Sequence, residues 1–190
     1  MAPRGWSSRD ADPLAEPRSG PPARFVAMLI AELPRLRRYA TAWLGNAADA
    51  DDLVQDCMER AIERHATLRR PDRLGSWLLA ILHNLHVSGI RSGRRHGEPV
   101  DVQSLADELL PSVPAVDAGQ LRDFARAMGQ LSPEHRQILL LVALEGLSYR
   151  EIAEVLELPL GTVMSRLARG RERLRGLLEG GEDVSVRRVR

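Results

Sequence analysis

The 190-residue chain is predicted to be all-α: two small helical domains joined by a flexible linker, the second carrying a helix-turn-helix. Three observations lead there. Strand-like alternation is nearly absent, whereas apolar residues recur at helical spacing through two blocks, residues 24–95 and 121–180. Between them, residues 96–120 lose that pattern, contain Pro99, Pro111 and Pro114, and carry 5 acids and no arginine, the composition of a linker. The stretch from Ser148 to Leu167 reads as two short helices about a tight turn. Outside the blocks, residues 1–23 are rich in Pro, Arg, Ser and Ala and read as a disordered leader, and residues 181–190 as a tail.

In the first block, Phe25, Leu29, Leu33, Leu36, Ala40 and Trp43 share one helical face, with a break or kink expected at Pro34. Asn46 is placed to cap the next helix, and Asp49 suits its first turn. That helix has an inner stripe of Ala50, Leu53, Val54, Cys57, Met58, Ala61 and Ile62. Its outer face holds Asp51, Asp52, Gln55, Asp56, Glu59 and Glu63. A polar loop, His65 to Gly75, contains Arg69, Arg70, Asp72 and Arg73. The third helix runs from about Leu74 into the nineties, with Trp77, Leu78, Ile81, Leu82 and Leu85 inward and a basic end at Arg91, Arg94 and Arg95. Gly89 and Gly93 weaken that end.

In the second block, Leu121, Phe124, Ala125 and Met128 open a helical set. Ser132-Pro133-Glu134 starts another helix with a cap, a proline at the first position and an early acid. Ile138, Leu139 and Val142 face inward, and Glu145-Gly146 ends the helix. Ser148 and Glu151 fit a capping box. Leu158-Pro159 is expected to stop that helix and Gly161-Thr162 to open the last one. Val163, Leu167, Gly170 and Leu174 then point inward, leaving Thr162, Ser165, Arg166, Arg169 and Arg173 outward. Hydroxyls and guanidinium forks on a helix supported from behind are what major-groove reading needs.

All 27 basic residues are arginine, and the net charge is only +1. The distribution is uneven: residues 24–95 carry 12 arginines against 8 acids, net +4, and residues 121–180 carry 9 against 8, net +1. A basic face can therefore exist in each half. The single cysteine, Cys57, excludes an intrachain disulfide and fits a reducing, cytoplasmic compartment. No apolar run approaches the ~20 residues of a membrane span, so no membrane insertion is expected. His83, His86 and Cys57 are the one conceivable metal group, but Cys57 falls in an apolar stripe and no fourth ligand is placed. No cofactor is expected. No triad, carboxylate pair or glycine-rich phosphate loop is present, so the chain does not read as an enzyme.

Three segments carry a family resemblance. Gly161-Thr162-Val163-Met164-Ser165-Arg166-Leu167-Ala168-Arg169 resembles the signature of bacterial sigma factors of the extracytoplasmic-function class. Asp49-Ala50-Asp51-Asp52-Leu53-Val54-Gln55-Asp56 and Ser76-Trp77-Leu78-Leu79-Ala80-Ile81-Leu82-His83-Asn84-Leu85 are similar to two further blocks of that family, in the family's order. The resemblance implies a protein that binds core RNA polymerase and directs promoter-specific initiation in a stress or extracytoplasmic response. It implies polymerase contact through Asp49, Asp52, Gln55 and Asp56. It implies minus-ten DNA contact through Arg70, Asp72, Arg73 and Asn84, with Arg91, Arg94 and Arg95 on adjacent phosphates. Minus-thirty-five contact falls to Thr162, Ser165, Arg166, Arg169 and Arg173. An anti-sigma partner is also implied. The chain departs from the family pattern at Met164 (usually Lys), Glu157 (usually Gly) and Ser88 (often Asp). The alternatives are a stand-alone helix-turn-helix regulator and a helical adaptor. A regulator has no need of the acidic helix, and an adaptor none of an arginine-faced one.

Overall fold

The computed structural model describes residues 20–91 and 118–186, and every described element is helical. The expected leader up to residue 19, the expected linker from 96 to 117, Arg94 and Arg95, and the expected tail from 187 lie outside the described residues. The first unit consists of α1 (Ala23–Leu44), α2 (Ala47–Glu63) and α3 (Leu74–Arg91), with two short 3-10 turns, His65–Thr67 and Pro71–Arg73, between α2 and α3. The second consists of α4 (Ala118–Gly129), α5 (Pro133–Ala143), α6 (Tyr149–Val155) and α7 (Leu160–Val186). Helix α4 thus begins three residues before Leu121.

Helix α1 continues through Pro34 without a break, so of the two outcomes expected there, break or kink, the first is not met. Proline removes one backbone bond. Leu29, Leu36, Tyr39, Ala40 and Trp43 are all buried, and that continuous packing carries the helix across the gap. It ends at Gly45, whose φ of 73° lets its N–H reach the Thr41 carbonyl. Asn46 caps α2 as read from sequence, its side-chain oxygen accepting from the Ala48 and Asp49 amides at 2.9 and 3.1 Å. In the inner stripe of α2, Ala50, Leu53, Val54, Cys57 and Ala61 are buried, Met58 is half-buried and Ile62 is exposed.

Ser148 and Glu151 form the capping box at the start of α6, with each bonding the other's backbone amide. The stop of α6 is not set by Pro159. Glu157 lies two residues earlier with φ 53°, the one described non-glycine residue in the left-handed region. Its N–H bonds the Glu154 carbonyl, and the Leu158 N–H bonds the Ala153 carbonyl at 3.0 Å, the paired closure of a left-handed helix end. A side chain there costs roughly 1–2 kcal/mol. Gly170 sits where α7 crosses α5; a Cβ at that position would stand 3.4 Å from the His135 Cβ.

The two helical units pack against each other, α5 on α1 and α6 on α3, over one continuous core. Helix α5 is therefore buried from two sides. Leu140 and Leu141 join Ile138 in the interior, while Leu139 and Val142, expected inward, are half-buried. Two polar residues, Arg136 and Gln137, go inside with them. The Arg136 guanidinium donates to the carbonyls of Met128, Gly129 and Leu131 at the end of α4 and to that of Trp43 in α1, all within 3.2 Å. Gln137 meets the His83 Nδ1 at 3.0 Å. Arg35 of α1 bonds Glu145 across the same junction, its guanidinium lying over Gly75 where any Cβ would collide with it.

Candidate functional site

Helix α2 presents its acids on two sides. Asp49, Asp52, Gln55 and Asp56 line one polar cleft of about 890 Å³ together with Trp77, Asn84 and Ser88 of α3. Asp51 turns the other way, toward α1, and pairs with Arg37 at 2.7 Å. Within the cleft, Gln55 donates to Glu59 at 3.1 Å, an i,i+4 bond that holds its amide along the helix. Trp77, read as core, is only half-buried: it stacks edge-on against Phe25 and forms part of the cleft wall. The predicted polymerase residues and Asn84 are thus brought together on one surface.

The basic turn lies next to that surface. Arg70 and Asp72 pair at 2.7 Å, and the hydrogen bond from Arg70 holds the Asp72 carboxyl below the usual carboxylate range. Arg69, Arg70, Arg73 and Ser76 line a smaller cleft of about 390 Å³ that shares Trp77 and Ala80 with the first. Its far wall is Glu154 and Val155 of α6. Arg73 stands 3.5 Å from Glu151 and 3.7 Å from Glu154. Asn84, exposed on α3, donates to the Glu157 carboxylate at 3.3 Å. Spacing within the first block does not point to these acidic partners. The available signal was Glu151, Glu154 and Glu157 at steps of three along one edge of α6 and its cap. Arg91 closes α3.

On α7, Val163, Leu167 and Gly170 are buried, as the spacing predicts. Ser165, Arg169 and Arg173 are exposed, whereas Thr162 and Arg166 are half-buried. The Ser165 hydroxyl donates to the Thr162 carbonyl at 3.0 Å. Arg166 stands near the junction between the units. Burial lowers the His83 pKa, Glu157 opposes the shift and Arg166 adds to it. His83 and His86 lie against Trp43, with ring centroids 6.2 and 4.4 Å away. The Cys57 thiol donates to the Leu78 carbonyl, and burial pushes its pKa up to about 12. Among the described residues no cluster of His, Cys, Asp or Glu is arranged to hold a metal, and no helix is long and apolar enough to cross a membrane.

Comparison with known proteins covers both units. The family described as "Sigma-70, region 4" matches residues 121–174, and that described as "Sigma2 domain of PhyR" matches residues 29–83. The chain is 35% identical over 158 residues to the ECF RNA polymerase sigma factor EcfG of Rhodopseudomonas palustris, covering 82% of this chain and 86% of the relative. It is 30% identical over 165 residues to the RNA polymerase sigma factor CarQ of Myxococcus xanthus, covering 85% and 92%. Among solved structures it resembles the sigma factor RpoE of Bartonella quintana, determined with the anti-sigma factor NepR. There the TM-score is 0.63 at 31% identity, over 82% of this chain and 97% of that one. Both halves match in order, and the relatives match along most of their length. The chain belongs to the extracytoplasmic-function (ECF) class of RNA polymerase sigma factors.

Proposed function

We propose how the work of a sigma factor is divided over these surfaces. Residues 24–95 form the unit that binds core polymerase and the minus-ten element; residues 121–180 form the unit that binds the minus-thirty-five element; residues 96–120 connect them. Asp49, Asp52, Gln55 and Asp56 take the polymerase. Carboxylates that outnumber nearby arginines make a poor DNA surface and a good one for a basic protein partner. Arg70, Asp72, Arg73 and Asn84 take the minus-ten element. Donors on Arg70, Arg73 and Asn84 and the Asp72 acceptor, with a half-buried tryptophan beside them, provide what a base removed from its stack requires, polar edges and an aromatic wall. Arg91, Arg94 and Arg95 hold neighbouring phosphates. Thr162, Ser165, Arg166, Arg169 and Arg173 take the minus-thirty-five duplex, with the amides at the start of α7 favouring phosphate. The chain itself makes and breaks no bonds; the polymerase does so, in the cytoplasm. An anti-sigma protein is proposed as a further partner, by analogy with the solved RpoE complex.

The observation that carries this reading is the polar cleft between α2 and α3, lined by acidic residues of the one and Asn84 of the other. A duplex-binding regulator has no use for it. The test is reconstituted transcription with purified chain and core polymerase. Specific start sites should appear only when both are present, and free promoter duplex should bind poorly to the chain alone. Tight, specific duplex binding without polymerase, and no transcription gained on adding it, would refute the reading.

A further inference from the structure

We infer that Met164, with Leu160 beside it, reads the methyl group of a thymine in the upstream promoter element. The inference rests on the proposed role of α7 in duplex recognition and goes further, to one side chain and one atom of the base. Six large hydrophobic side chains are exposed among the described residues, and three of them, Tyr149, Leu160 and Met164, belong to the helix-turn-helix. Met164 is 53% exposed and Leu160 is 40% exposed.

Their placement is regular. Leu160, Met164 and Ala168 follow one another at intervals of four, so they form one ridge along α7, and all three are exposed. Ser165, Arg169 and Arg173 form the next ridge, equally exposed. Behind both, Val163, Leu167 and Gly170 are buried against the rest of the unit. The apolar ridge therefore does not stabilise the fold. It extends about 12 Å at the rise of an α-helix, a span of three to four base-pair steps.

The chemistry selects the occupant. The thymine methyl is the apolar feature of the major-groove edge, and the other base edges there present donors and acceptors. An apolar ridge lying directly beside an arginine ridge matches a groove wall where a methyl group adjoins acceptors and phosphates. The early residues of a recognition helix are the ones that reach base edges, and Leu160 and Met164 lie in its first two turns. Methionine suits the task because its unbranched thioether adapts to a methyl without requiring one fixed approach. A basic side chain at this position would reach a phosphate instead. The chain exchanges a sequence-independent contact for a sequence-dependent one.

The experiment uses holoenzyme assembled from the full chain and core polymerase. The probes are promoter fragments in which each thymine of the upstream element, on either strand, is replaced singly by deoxyuridine. That change deletes one methyl and leaves every hydrogen bond in place. With the unaltered chain, one position should lose about fourfold in affinity, the weight of a single buried methyl group. Met164→Ala should abolish that sensitivity and leave the response to other base changes intact. Met164→Lys should abolish it too and steepen the salt dependence by about one counterion. If no deoxyuridine substitution matters, or if Met164→Ala retains the same sensitive position, the inference is overturned. Arg169→Ala separates this result from the reading beneath it. Should that variant leave upstream binding unchanged, α7 does not read DNA and both fall; should it weaken binding while methyl deletion has no effect, Met164 alone has been misassigned.

Discussion

Replacing Arg136 with methionine should destabilise the chain by about 3–5 kcal/mol, although the residue touches no surface proposed to bind polymerase or DNA. The side chain is 4% exposed and gives four hydrogen bonds, three to carbonyls closing α4 and one to the Trp43 carbonyl of α1. A bond from a charged donor contributes roughly 1.5–3 kcal/mol, so the four together are worth about 6–12 kcal/mol before any cost is counted. Against this stands the desolvation of a buried cation, several kcal/mol, which also lowers the Arg136 pKa. Methionine refills much of the volume but removes the guanidinium from four carbonyl oxygens, of which that of Met128 keeps the Leu131 amide at 3.2 Å. Three acceptors left without a donor at roughly 1–3 kcal/mol each, offset in part by the cation desolvation no longer incurred, give a net loss of about 3–5 kcal/mol. For a chain of this size that corresponds to a midpoint about 10 °C lower. Thermal and urea unfolding followed by circular dichroism would measure it. Arg136→Lys, with one compact ammonium in place of a fork, should recover only part of the loss. A loss below about 1 kcal/mol for Arg136→Met would show that water satisfies these carbonyls and that the residue is not a structural tie.

Asp52→Arg combined with Gln55→Ala should weaken core-polymerase binding about tenfold while changing stability by no more than ~0.5 kcal/mol, since both side chains are exposed; unchanged competition for core enzyme would remove α2 from the polymerase surface. Arg73→Ala with Asn84→Ala should leave closed-complex binding and reduce promoter melting in permanganate footprints, and a template already mismatched across the minus-ten element should restore it, because unstacking costs a few kcal/mol that the template no longer demands. Normal melting by that variant on duplex DNA would make the block structural. Acidification supplies a fourth prediction. Burial lowers the folded-state pKa of His83, so the unfolded chain takes up that proton first. This contribution to stability is complete above about pH 6.5 and is lost as pH falls through the folded value. His83→Gln should flatten the fall in melting temperature between pH 7.5 and 5.5. Glu134 and Glu151, whose carboxyls are lowered by hydrogen bonds from the backbone and from Ser148, lose theirs only below about pH 4.5. Equal slopes in variant and parent would exclude His83 as the source.

What could be read in advance was local. Asn46, Ser132 and the Ser148–Glu151 pair act on amides two or three residues away, so their sequence spacing already contains the geometry. Ser165, Arg169 and Arg173 on α7 are equally legible from its period, because one buried stripe determines the opposite face, whereas Thr162 and Arg166, expected outward with them, are half-buried. What escaped was long-range. Arg136 and Gln137 look like ordinary surface residues of a short helix, and only contact with Trp43 and His83, 93 and 54 residues away, puts them inside. The end of α6 is legible only through the departure at Glu157, where the family pattern has Gly. Pro159 is a strong breaker, but Glu157 had already turned left-handed, which its side chain disfavours and which surrounding bonds impose. At the candidate site, the grouping of Asp52, Gln55 and Asp56 followed from one helix. Their sharing of a cleft with Asn84 required the packing of α2 on α3.

The contacts of Arg73 with Glu151 and Glu154, and of Asn84 with Glu157, have a thermodynamic meaning beyond packing. Two of the donors proposed for the minus-ten element, Arg73 and Asn84, are occupied by carboxylates of the unit proposed for the minus-thirty-five element. Incoming DNA must compete for them, and the displaced acids would repel its phosphates. Apparent affinity for DNA is the intrinsic affinity scaled by the fraction of chains in which the junction has parted. Each 1.4 kcal/mol favouring the intact junction lowers that apparent affinity tenfold. Anything that holds the two units apart removes the penalty without touching a base. On the proposed assignment, core polymerase would act as a wedge that makes promoter reading conditional on its own presence, and the second unit would compete internally with DNA for Arg73 and Asn84.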